Sequence, residues 1–336
     1  MGMGLDEFMA EWRSPSPFVS VRTSGSTGAP KPMKAEKKRM EASAGITCRF
    51  LQLKRGDTAL LCMPLDYIAG KMMVVRSLVC GLNLISVEPC GHPLAHVAEG
   101  QRIDFAAMVP MQVYNSLQVA EERERLTQIG NLIIGGGSID SGMAAELRSF
   151  PNAVWSTYGM TETLSHIALR RLSGDGASEW YEPFEGVGLS LNASGCLVID
   201  APAVCAERLE THDMAELDGR RFKILGRLDN VICSGGIKIQ AEEVERLLGA
   251  HTDQPFAITK REDAKFGEAV VLVAEGDTEA LHRLCETVMP KYWVPQDYIG
   301  VAALPHTETG KIARKRLLEI AERHAGQSIA VGGRQG

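Results

Sequence analysis

The run Thr23-Ser24-Gly25-Ser26-Thr27-Gly28-Ala29-Pro30-Lys31 puts four hydroxyls and two glycines within six residues, then a proline and a lysine. Glycine lets backbone N–H groups face a ligand with no Cβ in the way, and such concave runs of N–H bind anions. The hydroxyls of Thr23, Ser24, Ser26 and Thr27 add rotatable donors, and Lys31 adds a charge suited to phosphate oxygens. The chemistry suggested is phosphate binding. The spacing is not that of a Walker loop, G-x-x-x-x-G-K-[ST]. Taken alone, the run reads equally well as a flexible Gly/Ser linker. Three further segments carry polar groups of the same kind. They are Ser156-Thr157-Tyr158-Gly159-Met160-Thr161-Glu162-Thr163, then Gly226-Arg227-Leu228-Asp229-Asn230 with Ser234-Gly235-Gly236-Ile237-Lys238, and last Thr309-Gly310-Lys311-Ile312.

These residues need elements to hold them. Short β-rich runs at 59–63, 83–87, 105–109, 131–134 and 153–157 read as strands, and 71–80, 111–120 and 141–150 as the helices between them, with Asp140 a plausible N-cap for the last. Such alternation predicts an α/β fold with a large domain built on a mostly parallel sheet. Gly/Pro/Ser punctuation from 174 to 183 opens a β-rich subdomain over 187–225, either a small barrel or an antiparallel sheet. Beyond it, helices at 241–248, 279–288 and 312–323 and strands at 256–259 and 269–274 predict a compact α+β tail. The expected division is 1–228 for the large domain and 229–336 for a small C-terminal domain. The segment after the strand at 153–155 falls at a strand's C-terminal end, where open α/β sheets bind ligands. Gly135-Gly136-Gly137 follows the strand at 132–134 and could be a tight turn.

Composition narrows the class. The 336 residues are 45% hydrophobic and 23% charged, enough for a sizeable core and unlike a disordered chain. A net charge of −6 without blocks of like charge gives no reason to expect nucleic acid or an anionic membrane as partner. The eight cysteines include no C-x-x-C pair, and Cys62, Cys80 and Cys196 lie in apolar runs, so reduced core thiols in a cytoplasmic protein are expected. Residues 1–17 are mixed and acidic at Asp6, Glu7 and Glu11, unlike a signal peptide. The most apolar stretch, 72–87, is interrupted by Arg76 and Asn83 and is too short to span a bilayer. His92 and His96 lie four apart with Pro93 between them and no third ligand evident, and read as structural.

In their order and separation the four segments resemble the adenylate-forming acyl-CoA synthetase superfamily, and within it the o-succinylbenzoate branch of menaquinone biosynthesis. The resemblance runs from about Thr23 to about Arg316. It implies an AMP-forming ligase that uses ATP, Mg²⁺ and coenzyme A with a small-molecule acid. A homodimer is one option for its assembly. The resemblance places the triphosphate on Thr23, Ser24, Gly25, Ser26, Thr27, Gly28 and Lys31. It stacks adenine on Tyr158 beside Gly135, Gly136 and Gly159, brings Thr161 to the α-phosphate, and gives Glu162 to Mg²⁺. Asp213 and Arg227 would hold the ribose, although His212 stands where relatives usually have glycine. Lys311 would lie between the acid and the α-phosphate during adenylation. Rotation of the small, mobile domain about Asp229 would then withdraw it and bring Ser234, Gly235, Gly236 and Lys238 to coenzyme A.

The likeness implies an acyl site around 63–70, with Tyr67 where relatives carry a Phe-His gate, together with Arg76, Ser165 and His166. A basic residue at Arg76 suits an acid that keeps a second carboxylate. Ser165 and His166 read equally as satisfied interior polar groups. Only 22 residues precede the phosphate-binding run, so an abbreviated member of the superfamily is expected. Two other readings stay open: an adenylating enzyme for another acid or a carrier-protein acceptor, and a catalytically silent nucleotide-binding protein.

Overall fold

The computed structural model describes residues 2–22, 32–137, 139, 141–307 and 311–332. Across the central sheet run Asn83–Ser86, Thr58–Leu61, Phe105–Met108, Asn131–Ile134, Ala153–Gly159, His166–Arg171 and Glu182–Pro183. The first five are parallel, His166–Arg171 runs antiparallel to Ala153–Gly159, and Glu182–Pro183 runs antiparallel to His166–Arg171. Alternate side chains serve two cores. Ala59, Leu61, Phe105, Ala107 and Ile133 enter one, and Leu60, Ala106, Leu132, Ile134 and Val154 enter the other. Both faces therefore need cover, as runs of continuous apolar strand do in α/β proteins. Helices Leu5–Arg13, Lys37–Phe50 and Ile68–Cys80 cover one face through Phe8, Met40 and Met72. Pro110–Leu117, Ala120–Gln128 and Ser141–Arg148 cover the other through Val113, Leu126 and Leu147.

Of the two options for the β-rich stretch, the antiparallel sheet is found: Gly188–Leu191, Cys196–Asp200, Leu209–Asp218 and Arg221–Arg227, paired in that order. A 3₁₀ turn, Leu228–Asn230, leads into a second sheet. There Ile237–Gln240, Val231–Ser234, Gly267–Glu275 and Phe256–Asp263 lie side by side, and Asp297–Val301 runs parallel to Gly267–Glu275. Ile258, Val270 and Leu272 pack under the helices Ala241–Gly249 and Glu279–Val288. Ala257, Val271 and Val273 pack under the last helix, Arg314–Gly332, through Leu317 and Ala321.

Three expectations need correction. The helix expected at 111–120 ends at Leu117, and a separate helix, Ala120–Gln128, follows. The helix expected to start at 312 starts at Arg314. The expectation of reduced thiols fails for one pair, because Cys48 and Cys80 form a disulfide with a Cα–Cα separation of 6.8 Å. They sit on two neighbouring helices, Lys37–Phe50 and Ile68–Cys80, whose packing was not evident from local sequence. Cys62 and Cys196 are buried and free. Among the described residues no helix is long and apolar enough to cross a membrane.

Candidate active site

The strand Ala153–Gly159 delivers Tyr158 to the end of the sheet, where the chain must turn sharply. A Cβ on Gly159 would lie 2.3 Å from the carbonyl oxygen of Ser165, so only glycine allows the chain to fold back this closely. The 3₁₀ turn Thr161–Thr163 follows, leaving Thr161 half-buried and Glu162 exposed at its surface. Leu164 then adopts φ 63°, a conformation rare outside glycine, and Thr163 donates its hydroxyl to the Ser165 carbonyl at 2.7 Å. This strained turn directs Ser165 and His166 back beneath the sheet end.

Tyr158 donates its hydroxyl to Asp213 at 2.7 Å, and its ring meets Phe222 edge-on at 5.0 Å and Tyr181 at 5.8 Å. Burial first, and then the Asp213 charge, keep the phenol protonated well above the ordinary tyrosine range. Asp213 sits opposite Arg227 in the antiparallel ladder, and Arg227 donates to it at 3.1 Å. The other end of the same guanidinium donates to Asp229 at 3.0 Å, and His212 Nδ1 approaches Asp229 at 2.9 Å. Burial pushes the Asp229 carboxyl up, but hydrogen bonds from Arg227 and His212 outweigh it and hold it below the usual carboxylate range. Side-chain exposures of 42% for Arg227, 52% for Asp229 and 60% for His212 mean that these ion pairs add little stability. They form an accessible array of donors and acceptors. Lys311 lies within electrostatic reach of it. Burial foremost, and then Arg227, lower the Lys311 pKa below the ordinary lysine value, with Asp213 pulling the other way. Its backbone is fixed by a pair of hydrogen bonds with Thr307, at 2.7 and 3.1 Å.

A second constellation lies on the helical side of the sheet end. Arg76, on Ile68–Cys80, is 2% exposed, and no carboxylate among the described residues pairs with it. Among the described residues its Nη2 donates to Ser165 Oγ at 2.6 Å, Nη1 reaches only Met73 Sδ at 3.8 Å, and Nε has no partner. Burial brings its pKa down to about 9. Ser165 Oγ is 3.2 Å from His166 Nδ1, and His166 Nε2 is 3.1 Å from Thr47 Oγ1. Burial first, with the Arg76 charge added, holds the imidazole well below its ordinary pKa, so it is neutral. A buried guanidinium left with free N–H groups is a ready receptor for an anion.

The structure thus brings Tyr158, Asp213, Arg227 and Asp229 together with Lys311 in electrostatic reach, and separately Arg76, Ser165 and His166. Gly135 packs against the neighbouring strand Ala153–Gly159, since a Cβ there would lie 2.4 Å from Thr157 Oγ1. Tyr67 caps the helix that bears Arg76, and its backbone bridges to Arg22 at the end of the strand Phe18–Arg22. Ser234, Gly235, Gly236 and Ile237 form a tight hairpin turn with φ 58° and 83° at the two glycines, and Lys238 is exposed on its return strand. Thr23, Ser24, Gly25, Ser26, Thr27, Gly28 and Lys31, with Asp140, Thr309 and Gly310, lie outside the described residues. Sequence reasoning did not include Thr47, and it left His212 without a role. Neither has a local signal, because each meets its partner far along the chain.

Polar groups from two separate sheets, converging beyond the carboxyl ends of parallel strands, define a ligand-binding α/β enzyme. Residues 10–205 match the family model described as AMP-binding enzyme, and the chain belongs to that family. A curated relative, 2-succinylbenzoate–CoA ligase of Listeria innocua, is 25% identical over 326 residues, covering 88% of this chain and 68% of its own. An acyl-CoA synthetase (AMP-forming)/AMP-acid ligase II-like protein from Dyadobacter fermentans is 34% identical. It superposes with a TM-score of 0.65 over 92% of this chain and 91% of its own. The fold also matches o-succinylbenzoate coenzyme A synthetase of Bacillus subtilis, solved with ATP and magnesium ion. That match has a TM-score of 0.74 and 21% identity, over 89% of this chain and 69% of the other.

Proposed function

We propose that the chain is an ATP-dependent ligase that adenylates 2-succinylbenzoate and transfers the acyl group to coenzyme A. A carboxylate is a poor acyl donor, because its leaving group would be oxide. In the first half-reaction a carboxylate oxygen attacks the α-phosphorus of ATP and diphosphate departs. In the second, the coenzyme A thiol attacks the acyl carbon and AMP departs. Catalysis of the first step is positioning and charge stabilisation, without an obligatory protein nucleophile. In this reading Asp213 and Arg227 hold the ribose, Tyr158 with Gly135, Gly136 and Gly159 borders the base, and Thr161 meets the α-phosphate. Lys311 supplies the charge between the acid and that phosphate. The exposed Glu162 carboxylate, at the surface of its turn, fits a magnesium ion, which would neutralise phosphate charge when bound. The phosphate-binding role of residues 23–28 and Lys31 rests on sequence alone. The small unit 229–336 would pivot at Asp229 on the large one, 1–228, and present Ser234, Gly235, Gly236 and Lys238 to coenzyme A.

The observation that carries the acid is Arg76, buried, charged and without an anionic partner among the described residues. 2-Succinylbenzoate has two carboxylates, one to be activated and one that stays charged, and Ser165 and His166 border the place where the second would meet Arg76, with Tyr67 at the start of the same helix. The test is thioester formation from a panel of aryl and fatty acids, with and without coenzyme A, for the wild type and Arg76→Ala. 2-Succinylbenzoate should be preferred. Arg76→Ala should lower its kcat/KM by about 2–4 kcal/mol, the scale of a broken buried charge pair. A monoacid analogue should lose far less. Equal loss for both acids would remove the support for this substrate.

A further inference from the structure

The hydrogen bonds behind Arg76 run in one direction, and that direction identifies a residue that positions the acid site. Thr47 Oγ1 donates to the Ser43 carbonyl one helical turn back, at 3.1 Å. Its single proton is spent there, so the contact with His166 Nε2 has the ring N–H donating to Thr47. A neutral imidazole protonated at Nε2 has a bare Nδ1, which accepts the Ser165 hydroxyl proton. Ser165 Oγ is then left with lone pairs for Arg76 Nη2. The same order follows from the other end. Arg76 can only donate, so Ser165 Oγ accepts from it and keeps its own proton for His166 Nδ1, the acceptor beside it among the described residues. Thr47 is fully buried and Ser43, His166 and Arg76 are nearly so, which shields the Thr47–His166 end of the chain from water, while Ser165 is half-buried.

We infer that Thr47 is a positioning residue: by fixing His166 as its Nε2–H tautomer it turns the Ser165 oxygen toward Arg76 and holds the guanidinium with its remaining N–H groups free for a substrate carboxylate. This rests on the reading that Arg76 receives the second carboxylate of the acid. Without the Thr47 oxygen, the imidazole proton gains by moving to Nδ1. Ser165 then loses its acceptor and reorients, and Arg76 loses its one strong contact among the described residues. The effect should reach the acid and not the nucleotide, because no Thr47 contact leads to Asp213, Arg227 or Lys311.

The test combines ¹⁵N NMR of histidine-labelled protein with steady-state kinetics. In the wild type His166 should show the Nε2–H tautomer, and in Thr47→Val that signature should be lost. The KM for 2-succinylbenzoate should rise about tenfold, equivalent to about 1.4 kcal/mol. The KM for ATP and the kinetics of a monoacid analogue should change less than about twofold, a near-neutral effect on the same scale. Thr47→Ser, which keeps the oxygen, should restore both tautomer and KM. A wild-type His166 found as the Nδ1–H tautomer or as imidazolium overturns the inference, whatever the variants do. So does a Thr47→Val protein with a changed tautomer but an unchanged KM for the acid. If Arg76→Ala leaves the preference for the dicarboxylate intact, the substrate reading fails, and the wild-type tautomer still judges the hydrogen-bond chain separately.

Discussion

Lys311 combines partial burial with a neighbouring Arg227, and both make its proton easier to lose than that of a free lysine. If the ammonium stabilises the adenylation transition state, losing that proton removes the effect. The kcat/KM profile for adenylation should therefore fall on the alkaline side at a pH below 10.5, because the free-enzyme pKa is depressed. Lys311→Ala should reduce adenylation by roughly 100-fold or more, near 3 kcal/mol, with the fold intact. The same variant given preformed acyl-adenylate should still form thioester. Equal loss in both half-reactions would show that Lys311 does not act specifically in the first. At this scale sequence reading found residue types better than partners. Arg76 stood out as a charge in an apolar helix and proved buried against Ser165. Its support from Thr47 and His166 could not be read, because those residues are 119 positions apart.

The 3₁₀ turn Leu228–Asn230 is the element on which an alternation of the two sheets would hinge, and its middle residue is tied from both sides by Arg227 and His212. Asp229→Pro removes those ties and fixes φ near −65°. Measured separately, adenylate formation should persist while transfer to coenzyme A slows. Normal transfer would put the hinge elsewhere. Elements with strong periodicity were readable, and the strand Asn131–Ile134 and helix Glu279–Val288 match their expected bounds. The misses have physical reasons. Ala120–Gln128 is so polar that only Glu122 and Leu126 are buried, which leaves little apolar stripe to detect. The helix Leu5–Arg13 is set by one fully buried side chain, Phe8. The hairpin Val231–Ser234 with Ile237–Gln240 was visible only as a glycine pair in a motif.

For the molecule as a whole, the mostly parallel sheet and the β-rich layer could be predicted because burial on both faces leaves an apolar alternation in the chain itself. The disulfide could not, since it joins two helices of one layer whose packing has no local signal, and the approach of Lys311 to Asp213 was legible only through the resemblance. One buried side chain also bears on how this fold withstands heat. Burial brings the Arg76 pKa down to about 9, so the charged form burdens the native state. The native state binds this proton less tightly than the unfolded chain does. The burden is therefore complete below about pH 9 and eases only as the pH rises above it. Arg76→Met, which fills similar space without charge, should melt a few degrees higher than the wild type in the absence of ligands, about 1–4 kcal/mol more stable. A lower melting temperature would mean that the protein already satisfies the guanidinium. The anion that relieves the charge should in turn protect the fold. Calorimetry of the wild type should therefore show the dicarboxylate raising Tm more than its monoacid analogue, a gap that closes in Arg76→Met. Thermal resistance becomes a gauge of whether the site is filled, and the protein is at its most fragile while waiting for its acid.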